Sequence, residues 1–188
     1  MWTSLYQHND RVFVRCGLAM SIVLIVSFIG GVVYPSSVSP IDSSDIYVRD
    51  IMLRANRGET FRRIVKQNLL VLAFVFGGVV TAGFTTVLQL AWNGFRIGLL
   101  VRHYDPWILA VLVIPHATLE FAALLLGATI SIWLVFKTVQ DAISDEFHLV
   151  RNLRRIIPGV AFSVGLILLG AIVEVYITPL IGAQFLQK

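Results

Sequence analysis

The apolar stretch over residues 107–136 most constrains the fold, because it exceeds the roughly 20 helical residues that cross a bilayer core. Two ionisable residues, His116 and Glu120, lie inside it. An ionisable group at membrane depth is costly and is by default a sign of a functional site. Their i, i+4 spacing places both side chains on one face of a helix. The stretch therefore predicts a membrane helix that carries a polar site.

The composition predicts an integral membrane protein. Hydrophobic residues make up 57% of the 188 residues and charged residues 14%, whereas soluble domains have about 45–50% and about 25%. The net charge of +4 is modest, and the sequence contains no basic tract suited to nucleic acid. We therefore expect the lipid bilayer to be the partner. The lysines and arginines are expected to set the orientation of the protein in the membrane and to contact lipid headgroups.

The first apolar segment contains the single cysteine, Cys16, which excludes an intrachain disulfide. A buried, inert thiol is favoured over a palmitoylated one. Arg11 and Arg15 precede the segment, but no clear small-residue cleavage site follows it. We interpret it as an uncleaved signal-anchor helix.

The apolar and polar stretches predict a single integral membrane domain over residues 1–188. The expected fold is an all-α bundle of about five transmembrane helices, some of them broken or re-entrant. The expected membrane segments are about 16–33, 69–82, 84–102, 107–136 and 158–181, with a break near Gly83 because one helix over 69–101 would overshoot the hydrocarbon core. Amphipathic helices on the membrane surface are expected at about 46–66 and 138–156.

The distribution of arginines predicts a multi-pass protein of the cell membrane with a cytoplasmic N-terminus. Arg11 and Arg15 favour that orientation under the positive-inside rule. Five crossings would place the loop that contains Arg151, Arg154 and Arg155 on the cytoplasmic side as well, whereas four crossings would place it outside. Five crossings also place the 34–67 loop outside, although it contains Arg62, Arg63 and Lys66.

A second polar set lies within the apolar stretch over 84–102. Gln89, Asn93 and Arg96 share a helical face, and Gly94 and Gly98 form a small-xxx-small pair that allows close helix approach. Two interpretations stay open. The face is either a packing interface or a substrate-binding surface on which Asn93 or Arg96 holds an oxyanion.

Glu174 completes a candidate site with His116 and Glu120, provided that their helices are neighbours. One imidazole and two carboxylates suit a divalent metal such as zinc, metal-free acid–base catalysis, or a proton or ion relay. A His-x-x-x-Glu spacing is by itself a weak metal signal. A structural hydrogen-bonded network is the fourth interpretation.

These residues resemble one family, the stage II sporulation protein M family of bacterial and archaeal membrane proteins. The resemblance covers roughly residues 50–181 and is carried by blocks over 66–78, 93–98, 115–120 and 172–179. Two positions depart from the family pattern. Gln67-Asn68 stands where paired asparagines are common, and Ala117 stands where the family has glycine.

The resemblance implies an integral membrane component of a multi-protein complex, with other membrane proteins as partners and a homo-oligomer left open. One branch of the family is similar to a scaffold that anchors peptidoglycan-degrading partners, and another is associated with circular bacteriocins. The first alternative is an intramembrane peptide-processing enzyme, a peptidase or a peptide ligase. It would use His116, Glu120 and Glu174 as catalytic residues or metal ligands. The second alternative is a component of a transporter or channel.

Overall fold

The computed structural model describes residues 2–35, 56–144 and 148–186, and within them the chain is helical with no strand. The predicted all-α fold is confirmed. The five principal helices are α1 (Trp2–Val33), α2 (Arg57–Phe76), α3 (Phe84–His103), α4 (Ile114–Ile143) and α5 (Leu149–Ile172).

Three helical stretches are long and apolar enough to cross a membrane: Arg11–Val33, Leu109–Ile143 and Val150–Gly182. They establish the chain as a membrane protein. The remaining two helices, α2 and α3, have 20 residues each. Cys16, in the first stretch, is buried as predicted.

Helix α2 begins where Asn56 supplies an N-cap, because its side-chain oxygen accepts a hydrogen bond from Glu59 N at 3.2 Å. Part of the surface helix expected over 46–66 lies outside the described residues, and residues 57–66 form the first half of α2. Of the surface helix expected over 138–156, residues 138–143 form the end of α4 and residues 149–156 the start of α5.

The chain turns between α2 and α3, at the position where the sequence predicts a break. A 3₁₀ turn covers Gly77–Val79, and Ala82 and Gly83 follow with φ of 52° and 92°. This left-handed conformation reverses the chain direction and suits glycine far better than alanine. Thr86 anchors the turn from the next helix, because its hydroxyl donates to the Val75 carbonyl at 2.7 Å.

Helices α1 and α3 lie side by side and run in the same direction. Near their C-terminal ends Gly31 faces Gly98, and a Cβ built on Gly98 would lie 2.9 Å from the Gly31 Cα. One turn earlier, a Cβ on Gly94 would lie 2.8 Å from the Leu24 carbonyl oxygen. These contacts confirm that the Gly94 and Gly98 pair allows close helix packing.

Helix α4 is central and contacts all the other principal helices. Its Gly127 lies against Leu72 of α2, in parallel orientation, and its Ile130 lies against Gly159 of α5, in antiparallel orientation. Helices α1, α3 and α5 therefore run one way, and α2 and α4 run the other way. The largest buried apolar cluster joins all five helices through residues such as Met20, Leu72, Leu90, Leu124 and Ile167, which lie on α1 to α5 in that order.

This arrangement gives the bundle two distinct ends. The arginine end is defined here by Arg11, Arg15, Lys137, Arg151, Arg154 and Arg155, together with the α2–α3 turn. The distal end contains the start of α2 and the end of α3, where the Arg102 side chain donates to the Tyr34 carbonyl.

Candidate functional site

Glu120 is the centre of a group of polar side chains between α2, α4 and α5. The Asn68 side-chain amide on α2 donates a hydrogen bond to Glu120 Oε1. On α5, a Cβ built on Gly170 would lie 3.0 Å from Glu120 Cγ. Glycine at this position therefore lets the α5 backbone come close to the carboxylate.

Glu174 lies one helical turn beyond Gly170, and its carboxylate interacts electrostatically with that of Glu120. The two glutamates are half-buried. Glu174 is part of a π-helical turn, Val173–Ile177, after which the helix continues as Thr178–Leu186. The structure thus places the two carboxylates predicted to form one site within electrostatic range of each other.

A second π-helical turn, Leu109–Val113, precedes His116, with Pro115 in the first turn of α4. Because the π-helical turn runs directly into α4, Pro115 lies inside a continuous helical stretch, where it has no N–H to donate to the preceding turn. Single π-helical turns inside α-helices are frequent at functional sites. One such turn directly precedes α4, which carries His116 and Glu120, and the other directly follows α5 and carries Glu174.

His116 is buried, with 7% of its surface exposed. The Leu112 carbonyl one turn earlier interacts with the ring, but Nδ1 completes no hydrogen bond among the described residues. Leaving a buried polar atom without a partner costs about 1–3 kcal/mol. A buried ring nitrogen one helical turn before Glu120 is therefore a candidate position for proton exchange.

We define the polar site as Asn68, His116, Glu120 and Glu174. Roughly 20 Å of helix, at 1.5 Å per residue, separates Glu120 from Trp133, which packs edge-on against Phe13 near the start of the α1 span. The hydrocarbon core of a bilayer is roughly 30 Å thick. The site would therefore lie nearer the distal end than the arginine end.

The chemistry available to the site follows from its donors and acceptors. Two neighbouring carboxylates repel each other when both are ionised, and this repulsion is strong in a low-dielectric environment. A proton or cation shared between them relieves it. Asn68 fixes one carboxylate oxygen, and His116 offers a nitrogen one turn away, so the group can accept and pass on a proton.

A three-ligand metal centre is not formed by the described side chains. Nowhere in the described ranges do three or more His, Cys, Asp or Glu residues come close enough to hold a metal ion. The metal-ligand role of His116, Glu120 and Glu174 stays a prediction. The geometry gives more direct support to the carboxylate pair.

The second polar set lies on α3 and, among the residues that the structure describes, makes no hydrogen bond to the polar site. The Asn93 side chain donates to the Gln89 carbonyl of its own helix at 2.8 Å. Arg96 is exposed. Their substrate-binding role stays a prediction.

Asn68 is the residue of the site that was missed as a candidate. The signal was present, because Asn68 ends the polar first half of α2, directly before the apolar residues from Leu69 onward. The two π-helical turns have no comparable signal, because they depend on how α4 and α5 pack.

Comparison with known proteins supports the resemblance. The profile of the family described as Stage II sporulation protein M matches residues 19–179. An uncharacterised protein of Methanocaldococcus jannaschii is 26% identical in an alignment of 175 residues that covers 86% of this chain and 92% of the relative. No solved structure matches the chain.

Proposed function

Because the chain belongs to the stage II sporulation protein M family, we propose that it is a multi-pass, membrane-embedded component of a multi-protein complex. We propose further that the polar site is its functional centre, at which a proton is bound and released as the complex works. The N-terminus and the rest of the arginine end would face the cytoplasm.

The observation that supports the proposal is the electrostatic interaction of Glu120 with Glu174 between apolar helices. Asn68 donates to the first carboxylate, and the second lies in a π-helical turn. A bundle that needed only packing would gain more from apolar side chains at these positions, because buried ionic groups are often no more stabilising than hydrophobic ones. Ionisable groups at this depth are therefore better explained by function.

Arg96 supports membership of a complex. Its side chain is exposed and makes no hydrogen bond or ion pair with any other described residue. It lies roughly 10 Å along α3 from Arg102 at the distal end. A cation facing hydrocarbon at this depth is costly, so we infer that an acidic residue of a partner helix pairs with it.

The test separates assembly from site chemistry with two variants. Native membranes of the source cell are solubilised in mild detergent, and the mass of the tagged protein's assembly is measured on a native gel. We expect wild type and Glu120→Gln to migrate in one large assembly. Arg96→Leu should be released from it, because leucine suits lipid but cannot pair with a carboxylate.

Two results would contradict these proposals. Wild type that migrates alone or only with copies of itself would refute the multi-protein complex. Arg96→Leu that stays in the assembly would refute the proposed contact. The polar site is tested separately. The number of protons that the protein in nanodiscs releases after a pH jump is measured, and Glu120→Gln should reduce that number.

A metal-free peptide-processing enzyme is the second candidate function, and the coupled carboxylates favour it. Such a pair can share one proton and act as acid and base in turn. Purified wild type in nanodiscs should then cleave or join a peptide. Glu120→Gln should abolish this turnover, and Arg96→Leu should retain it.

A further inference from the structure

The start of α5 carries a positively charged pocket that has no role in the polar site. The side chains of Arg151, Arg154 and Arg155, with Val150, line a cavity of about 530 Å³. All three arginines are exposed. They lie in the first two turns of the helix, where the helix dipole already favours negative charge and disfavours cations.

A fourth cation lies beside this pocket. Lys137 of α4 is buried, and its Nζ donates to Gln140 at 2.8 Å. It interacts electrostatically with Arg151 and Arg155, which repel it, and with Asp141, which attracts it. Within the described ranges, Lys137 therefore lies within electrostatic range of two of the three arginines and of Asp141.

The carboxylate of Asp141 already has hydrogen-bond donors. Its Oδ2 accepts from the His148 backbone N–H at 3.2 Å and from the Asn152 amide at 2.9 Å. Asn152 is buried, with 3% of its surface exposed. These bonds hold the start of α5 against the end of α4. The three arginine side chains are therefore held close together, and their positive charge would attract an anion.

The same flank of α5 continues into an apolar stripe. Residues spaced alternately by four and three positions lie on one side of a helix. On this side of α5, Arg151 and Arg155 are followed by Pro158, Phe162, Gly165 and Leu169. Phe162 is 62% exposed and Leu169 52%. A Cβ built on Gly165 would have no neighbour within 4 Å, which leaves a notch in the stripe.

The length of this stripe matches one leaflet. From Arg155 to Gly165 the helix rises roughly 15 Å at 1.5 Å per residue, which is half of a roughly 30 Å hydrocarbon core. A phosphate at the arginines would thus place an acyl chain along Phe162 and into the notch. Basic residues next to a membrane helix are the usual partners of anionic headgroups.

We propose that this flank of α5 is a binding site for one anionic phospholipid. The phosphate binds Arg151, Arg154 and Arg155, and an acyl chain lies along Phe162, Gly165 and Leu169. Arginine suits this role, because its planar guanidinium can donate two hydrogen bonds to one phosphate.

The site is tested by native mass spectrometry of the full chain, purified in detergent and mixed with equal amounts of dioleoylphosphatidylglycerol and dioleoylphosphatidylcholine. We expect the glycerol lipid to be retained at least tenfold in preference to the choline lipid. The double variant Arg151→Gln/Arg155→Gln should lower this preference roughly 10- to 30-fold. Both side chains are exposed, so the variant should fold.

The matched control is Arg62→Gln/Lys66→Gln on α2, which removes two exposed positive charges at the same spacing. It should leave the preference within about twofold of wild type if the general electrostatic attraction is small. Gly165→Leu, which fills the notch without changing charge, should weaken retention of the glycerol lipid several-fold.

Three results would overturn the proposal. The first is equal retention of the two lipids by wild type. The second is an equal loss of preference in the α2 control. The third is complete displacement of the bound lipid by soluble glycerol 3-phosphate, which would show an anion site that does not use an acyl chain.

Discussion

At the residue scale, the positions of ionisable groups in apolar sequence were the most useful signal. His116 and Glu120 both lie in a stretch that is long and apolar enough to cross a membrane, and the structure places Glu120 on the face of α4 toward α2 and α5. The sequence does not predict Asn68 as a site residue, since an asparagine at the boundary of a polar segment is common. Only the fold shows that its amide reaches Glu120, which is distant in sequence.

The contact between α1 and α3 gives a prediction at a single glycine. A Cβ on Gly98 would lie 2.8 Å from Val32 N and 2.9 Å from Gly31 Cα, and these are backbone atoms that cannot rotate away. We expect Gly98→Ala to lower the free energy of unfolding by about 1–3 kcal/mol, since overpacking forces the helices apart. Thermal unfolding in detergent would measure the effect.

The control for this prediction is Gly165→Ala, where an added Cβ meets nothing within 4 Å. It should leave stability unchanged or raise it by up to about 1 kcal/mol, because alanine is the better helix former. Equal losses in the two variants would show that helix propensity, and not helix contact, sets the cost.

At the element scale, the α2–α3 turn decides how two apolar segments are arranged. The glycines near the turn predict a break, and the polar contacts that hold the turn are tertiary. The Thr86 hydroxyl lies 2.9 Å from that of Ser131 on α4, so the turn is fastened to the central helix. Sequence spacing alone does not show this contact.

The turn gives a pair of adjacent substitutions with opposite expected signs. Ala82 has a φ of 52°, a conformation that costs a residue with a Cβ about 1–2 kcal/mol. Ala82→Gly should therefore raise the free energy of unfolding by about 1 kcal/mol. Gly83→Ala should lower it by at least about 1 kcal/mol, since its φ is 92° and the added Cβ would lie 2.8 Å from Ile132 Cδ1.

Chemical denaturation of the two variants and wild type in the same detergent would test this pair. A loss of stability in Ala82→Gly would contradict the left-handed conformation at Ala82. No change in Gly83→Ala would contradict the close approach of Ile132 to the turn.

At the scale of the whole molecule, the alternating helix directions predict five crossings with the N-terminus and the α2–α3 turn on one side. The natural chain has one cysteine, Cys16, so single cysteines can be introduced on a Cys16→Ser background. Val80 is 90% exposed at the turn, Ser144 is exposed at the end of α4, and Tyr104 lies at the distal end.

In sealed right-side-out vesicles, a membrane-impermeant maleimide should label Tyr104→Cys only. After the vesicles are opened, Val80→Cys and Ser144→Cys should be labelled too. Labelling of Ser144→Cys in sealed vesicles would show that the end of α4 lies outside, which is the opposite of the proposed orientation. Val80→Cys that stays unlabelled in opened vesicles would show that α2 and α3 enter the membrane without crossing it.

The sequence by itself determined the helical membrane class, the family and the candidate ionisable residues, because each depends on local composition and spacing. The long apolar stretches favour helices, since only satisfied backbones are stable in lipid. The tertiary structure decided which polar residues meet: Asn68 with Glu120, and Glu120 with Glu174. It also placed Arg96 on an exposed face. The physical reason is that helical periodicity specifies which side chains share a face, whereas the neighbours of that face depend on how the helices pack.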